Sequence, residues 1–207
     1  MILQPDHVPA DPPTEKEKWV LLTVQPRVAA ASLAFAEIPA GMIDEGSFKG
    51  SAAKEISEET HINVSDDELL NMSELAAPQD TTFDWMVRCH GKSGNGKEPL
   101  SVAMYPSPGA CDEMIQLFLY QKRLPGDLID ALKDRQTGSK TENEKITLKL
   151  VRLENLWREC SRDGKALAAL ALYEGLRREG KIPKIEELSV EKLASMRTKL
   201  MGENKTT

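Results

Sequence analysis

The chain has 207 residues, 40% of them hydrophobic, which suffices for one domain with a single core and a helical appendix. Its net charge of -6 argues against a general nucleic-acid binder, because such proteins carry a basic surface. Three widely separated cysteines favour free thiols, and no apolar run approaches the ~18 residues of a membrane span. The first 18 residues resemble neither a secretory signal nor a transit peptide, so we expect a cytoplasmic protein.

The predicted elements alternate between strands and helices along the chain. Residues 1–18 contain four prolines and are expected to form a flexible lead-in. Apolar, β-prone runs predict strands, at 19–24, 33–38, 114–121 and 146–152. Helical patterns and caps predict helices, at 48–60, 153–157 with Trp157 in the core, 165–179 between Asp163 and Gly180, and 189–201. This order predicts a mixed α/β fold.

The first predicted helix carries three glutamates, Glu55, Glu58 and Glu59, on one face. Residues three and four apart are neighbours on a helix surface, so Glu55 lies beside both of the others. Carboxylates this close repel one another, and a hard divalent cation, which prefers oxygen ligands, would remove the repulsion. The alternative is a solvated acidic face on which Lys54 pairs with Glu58.

The stretch from Glu37 to Val64 resembles the Nudix box, whose pattern is G-x5-E-x7-R-E-U-x-E-E-x-G-U with U aliphatic. Gly41 matches the first glycine, residues 54–59 (KEISEE) match the R-E-U-x-E-E core, and Ile62 matches the final aliphatic residue. The order of the elements also matches that family. A strand ends in Pro-Ala-Gly, a loop follows it, and an acidic helix comes next.

This stretch departs from the Nudix pattern in four ways. The loop is one residue short, Ser47 stands near the position of the early glutamate, Lys54 replaces arginine and His61 replaces the second glycine. Lysine keeps the charge of arginine but not its forked hydrogen bonding, and histidine strains a helix end that needs a positive φ. We expect these changes to affect the catalytic efficiency more than the family assignment.

Residues outside the box narrow the resemblance to ADP-sugar hydrolases. Gln25-Pro-Arg27 resembles their Q-x-R element, and residues 105–113 (YPSPGACDE) resemble their SPG…E segment. Residues 137–150 resemble the mobile loop and strand in which that family places a catalytic acid. Leu156-Trp157-Arg158 and Leu172-Tyr173-Glu174 resemble the plant and fungal ADP-sugar diphosphatase branch.

The resemblance implies the Nudix fold, a mixed sheet sandwiched between helices, with a C-terminal helical extension. The Nudix domain would span 19–180, after the lead-in at 1–18 and before a helix and tail at 181–207. Members of the branch carry an N-terminal β-rich segment that helps to form a dimer. Since only 18 loop-like residues precede Trp19, we expect a shortened chain and a weakened homodimer.

The resemblance also implies a metal-dependent reaction. The substrate would be a nucleoside diphosphate sugar such as ADP-ribose or ADP-glucose, cut to AMP and a sugar phosphate. Glu55 and Glu59 would bind Mg²⁺ directly, Glu58 would act as a ligand or a bridge, and the backbone carbonyl of Ala40 would complete the site. Mn²⁺ would serve as well, because both ions accept carboxylate oxygens.

The remaining candidate residues would handle water and substrate. Glu144 is the first choice for the base that activates water, and Glu142 is the second. Arg27 would clamp a phosphate because guanidinium binds phosphate bidentately, and Gln25 belongs to the same substrate-binding element. Glu113 would help to position metal or water.

Two other functions compete with this one. The chain could hydrolyse another nucleoside diphosphate derivative, such as a dinucleotide, or could bind a nucleotide sugar without turning it over. A fragment without activity is the third alternative, and a broad, non-cooperative melt would reveal it.

Overall fold

A computed structural model describes residues 1–7, 17–41, 48–60, 62–77, 101–138 and 145–202 of the chain. The strands of these ranges are β1 (Ile2–Pro5), β2 (Trp19–Arg27), β3 (Ser32–Glu37), β4 (Leu70–Asn71), β5 (Phe118–Leu119), β6 (Gln121–Leu124), β7 (Gln136–Thr137), β8 (Ile146–Arg152) and β9 (Glu186–Glu187). The helices are α1 (Phe48–Thr60), α2 (Met72–Ala76), α3 (Gly126–Leu132), α4 (Leu156–Glu159), α5 (Gly164–Arg178) and α6 (Val190–Gly202).

A mixed sheet organises the part of the chain that the structure describes. Its order is β7-β8-β2-β1-β6-β9, and β3 pairs with β2 beyond the end of β1. The strand β1 is antiparallel to β2 and parallel to β6, so it joins the two halves of the sheet. A separate two-stranded sheet pairs β4 with β5.

Helices cover both faces of this sheet, because successive side chains of a strand point to opposite faces. On one face, Leu3 and Leu21 pack with buried residues of α1, α3 and α6. On the other face, Ile2, Val20 and Leu22 pack with buried residues of α2, α4 and α5. The predicted fold class, a mixed sheet sandwiched between helices, is therefore confirmed.

Local signals placed several elements correctly. The strand predicted at 146–152 and the helix predicted at 48–60 have the observed bounds. Asp163 caps α5 through a hydrogen bond that its side chain accepts from the amide of Lys165, and Gly180 follows α5 with a φ of 68°. A left-handed glycine after a helix is a common helix stop.

Three predictions about secondary structure and packing were wrong, and one helix was missed. Residues 2–5 form a buried strand rather than part of a flexible lead-in, because β2 and β6 supply hydrogen-bonding partners on both sides. The strand predicted at 114–121 divides into an isolated bridge at Ile115 and two strands, β5 and β6. The side chain of Trp157 is 53% exposed and does not anchor α4 in the core, and the helix α3 was not predicted.

Within the described ranges, no helix is long and apolar enough to cross a lipid bilayer.

Candidate active site

The end of β3 meets the acidic helix α1 at Gly41. A Cβ atom placed on Gly41 would overlap the Cγ, Cδ and Oε1 atoms of Glu55, so the carboxylate lies directly against this backbone. Any larger residue at this position would require the side chain of Glu55 to move. This contact joins the first glycine of the predicted motif to the first glutamate of its helical core.

The last motif glutamate, Glu59, lies one turn further along α1. Its side chain is buried, with 3% of its surface exposed. The hydroxyl of Ser57 donates to the carbonyl of Ala53 and accepts from the amide of Val64, at 2.8 and 3.2 Å. Thr60 likewise accepts from the amide of Ile62 at 3.3 Å. These hydroxyls fasten the chain that leaves α1 back onto the helix, which fixes the helix end beside Glu59.

Glu58 has a different environment from its two neighbours. Its side chain is 52% exposed and forms an ion pair with Lys54 at 3.9 Å. This is the exposed pairing that the sequence left open as an alternative for this face. Among the described residues, no group of three His, Cys, Asp or Glu side chains is arranged to hold a metal ion. Glu55, Glu59 and the carbonyl of Ala40 fit a hard cation by their donor chemistry alone.

A network of four charged side chains, two of them buried, holds the end of β3. Glu37 is 2% exposed, and its Oε1 atom accepts hydrogen bonds from the guanidinium of Arg27 at 2.6 Å. Its Oε2 atom accepts from the ammonium of Lys165 at 3.1 Å, and Lys165 also contacts Asp163 at 3.1 Å. Two cations and two anions thus compensate one another, as burial of charge requires.

The charge of Lys165 is secure at neutral pH. Burial by itself lowers the pKa of this ammonium, but the charge of Asp163 and hydrogen bonds to Asp163 and Glu37 outweigh that effect and raise the pKa above its ordinary value. Sequence reasoning identified Asp163 only as a helix cap and did not single out Glu37 or Lys165. The sequence signal that could have identified Glu37 is its position as a charged residue at the end of an apolar strand.

Cys160 packs near the same network. Its thiol donates to the carbonyl of Ala36 at 3.7 Å, and burial, followed by the charge of Asp163, raises its pKa to about 11. This cysteine and the exposed Cys111 are both free thiols.

The predicted substrate-binding residues lie in unlike surroundings. Gln25 is buried in β2, and Arg27 is partly exposed but engaged with Glu37. Glu113 is exposed on the segment before β5. The structure therefore brings Arg27 to the end of β3, through Glu37.

Glu142 and Glu144 lie outside the described residues, as do Ser47 and His61. The strands on either side of the two glutamates are nevertheless placed. The antiparallel pair of β7 and β8 brings Thr137 opposite Ile146, and β7 contacts α1. Both ends of the segment that carries the two glutamates are therefore held close to the acidic helix.

An apolar cavity opens behind the turn that follows β3. Its lining includes Ile38, Pro39, Ile56 and Tyr173. The lining supplies little charge, so the cavity suits an uncharged group rather than a phosphate.

Comparison with known proteins places this arrangement in context. Models of known protein families gave no match to the chain. The chain is 30% identical over 169 residues to Nudix hydrolase 14, chloroplastic, of Arabidopsis thaliana. This similarity supports membership of the Nudix family. The match covers 81% of the chain and 48% of the Arabidopsis protein, so the chain spans about half the length of its curated relative. The contact between Gly41 and Glu55 lies within the stretch that resembles the Nudix box.

Proposed function

We propose that the protein hydrolyses the diphosphate bond of an ADP-sugar, such as ADP-ribose or ADP-glucose, to AMP and a sugar phosphate. The observation that carries this proposal is the packing of Glu55 against Gly41, with Glu59 buried one turn further along α1. The similarity to a Nudix hydrolase supports the reaction class, and the ADP-sugar rests on the residues outside the box. A cytoplasmic location and a homodimer belong to the same proposal.

Glu55, Glu59 and the carbonyl of Ala40 would hold the Mg²⁺ or Mn²⁺ ion. Glu58 would join them by leaving Lys54, whose exposed ion pair is worth little in water. A bound divalent ion would neutralise phosphate oxygens and lower the pKa of water, which is the chemistry that diphosphate hydrolysis needs.

The protein groups would handle the substrate as follows. Hydrolysis adds a water oxygen to one phosphorus and breaks the bridging phosphorus–oxygen bond. Glu144, or Glu142 in its place, would accept the proton of that water, since their segment begins and ends beside α1. Arg27 would clamp a phosphate, with Gln25 in the same element and Glu113 positioning metal or water. The apolar cavity would accept the nucleobase.

A non-catalytic nucleotide-sugar binder is the second candidate. The altered motif favours it, because Lys54 replaces arginine and the loop before α1 is one residue short. This candidate predicts binding of ADP-ribose without turnover.

The first test is incubation of the purified chain with Mg²⁺ and, separately, with ADP-ribose and ADP-glucose. Chromatography should resolve AMP and a sugar phosphate, and a chelator should abolish both. Binding of ADP-ribose by a cooperatively folded chain that releases no AMP would favour the second candidate. Faster hydrolysis of dinucleotides than of ADP-sugars would show that the substrate is another nucleoside diphosphate derivative.

The matched site test is Glu59→Gln, which keeps the side-chain volume but removes the charge. We expect the rate to fall at least ~100-fold with the fold retained, because a ligand to the reactive ion is lost. Glu187→Gln, an exposed glutamate on β9, is the control and should leave the rate unchanged. Near-normal turnover by Glu59→Gln would refute the site assignment.

A further inference from the structure

We propose that Lys165 and Asp163, at the start of α5, are positioning residues that hold the Ala40–Gly41 turn against Glu55. The inference rests on the proposed function for its catalytic consequence. Its structural basis is the network of charged side chains around the buried Glu37 and Asp163, which links a helix of the opposite face of the sheet to the turn before α1.

The first link in this network is the carboxylate of Glu37. Arg27 occupies one oxygen of this carboxylate and Lys165 the other, at 2.6 and 3.1 Å. Both oxygens of a nearly fully buried carboxylate are therefore held by cations from different elements, β2 and α5. The last residue of β3 cannot shift without separating buried charges.

The second link acts on the backbone. The Oδ1 atom of Asp163 accepts a hydrogen bond from the amide of Lys165 at 3.0 Å. Its Oδ2 atom accepts one from the amide of Ile38 at 3.1 Å. One carboxylate thus caps α5 and holds the residue that follows β3. Ile38 lies outside the strand pairing of β3, so this hydrogen bond sets the direction in which the chain leaves the sheet.

The third link is the close approach of Gly41 to Glu55. Ile38 is two residues before Ala40, and the backbone at Gly41 leaves no room for a Cβ atom beside the glutamate. A small displacement at Ile38 would therefore be transmitted to Glu55 and to the carbonyl of Ala40. Groups that orient metal ligands in this way change metal affinity without touching the ion.

The test compares Lys165→Met with Lys149→Met. Lys149 also forms an ion pair with a carboxylate, that of Glu159 at 2.7 Å, but it contacts neither Glu37 nor Asp163 in the described structure. Mn²⁺ alone is the probe, and its binding is followed by electron paramagnetic resonance, with Glu55→Gln as the variant that identifies the site. Hydrogen exchange of the Ile38 amide reports the turn independently of any metal.

We expect Lys165→Met to weaken Mn²⁺ binding by about 10-fold to 100-fold and to accelerate exchange of the Ile38 amide. Lys149→Met should change neither, and Lys165→Arg, which keeps the charge, should restore most of the affinity. Thermal melts must show cooperative folding for each variant. Where Lys165→Met does not fold, Asp163→Asn replaces it, since this variant removes the charge beside Lys165 but keeps an oxygen.

A folded Lys165→Met with wild-type Mn²⁺ affinity and wild-type exchange at Ile38 would overturn the inference. Weakened Mn²⁺ binding in a chain that hydrolyses no nucleotide sugar would support the positioning role while refuting the proposed function. The two proposals therefore fail separately.

Discussion

At the scale of single residues, the site depends on the small size of a glycine beside the first motif glutamate. A Cβ atom at Gly41 would overlap the side chain of Glu55. Gly175, in the middle of α5, is the opposite case, because a Cβ atom there meets no atom within 4 Å. The two glycines therefore form a matched pair for substitution.

Gly41→Ala should lower turnover and Mn²⁺ affinity by about 10-fold or more, because the added methyl group displaces Glu55. Gly175→Ala should leave both unchanged and stabilise the chain by up to about 1 kcal/mol, since alanine favours the helix. Steady-state rates, Mn²⁺ titration and urea unfolding measure these effects. Wild-type values for Gly41→Ala would mean that Glu55 moves aside without consequence.

At the scale of elements, the short turn after α1 is fastened to the opposite end of the chain. Glu68 contacts Lys192 of α6 at 2.5 Å and Lys122 of β6 at 3.5 Å, and it accepts the amide and hydroxyl of Ser65. Burial acts to raise the pKa of Glu68, but hydrogen bonds from Lys192 and Ser65 outweigh it and lower the pKa from 4.5 to about 2. This carboxylate therefore ties α6 to the chain that leaves the acidic helix.

The lowered pKa makes a prediction about acid stability. A depressed carboxyl pKa contributes stability above the unfolded value, here 4.5, and that contribution is lost as the pH falls towards 2. Glu68→Gln should thus be less stable than the wild type near neutrality, with a difference that shrinks on acidification. Urea unfolding over a pH series measures it, with the exposed Glu187→Gln as control. A difference that stays constant with pH would contradict the assignment.

At the scale of the whole molecule, β1 closes the sheet between β2 and β6. Leu3 at its centre is 0% exposed, whereas Leu33 on β3 is 88% exposed. Leu3 also belongs to the same buried cluster as Ala53 of α1 and Leu128 of α3. The first residues of the chain thus complete the core on which the acidic helix rests.

Leu3→Ala should therefore reduce the free energy of unfolding by about 2–5 kcal/mol, because it opens a cavity in a packed core. Leu33→Ala removes the same atoms from a solvated site and should stay within about 0.5 kcal/mol of the wild type. Urea unfolding of both variants, followed by circular dichroism, makes the comparison. Equal decreases in the free energy of unfolding for the two variants would show that Leu3 of β1 does not stabilise the core.

The elements with local signals could be predicted from neighbouring residues alone. The periodicity of α1, the cap at Asp163 and the alternation of β8 are written in neighbouring residues, since helices and caps form from contacts a few positions apart. The motif that resembles the Nudix box is local for the same reason, so the spacing of its glutamates is visible in the sequence. Their assignment as metal ligands stays a prediction.

Two features, the strand β1 and the charge network at Glu37, became visible only in the folded structure. The strand β1 is stabilised by partners that lie far along the chain, and its proline-rich surroundings read as a loop until β6 is placed beside it. The burial of Glu37 and its pairing with Lys165, 128 positions away, likewise depend on the packing of α5 against the sheet. Charge pairing across such distances leaves no local pattern, because the energy that favours it exists only once the two elements have met.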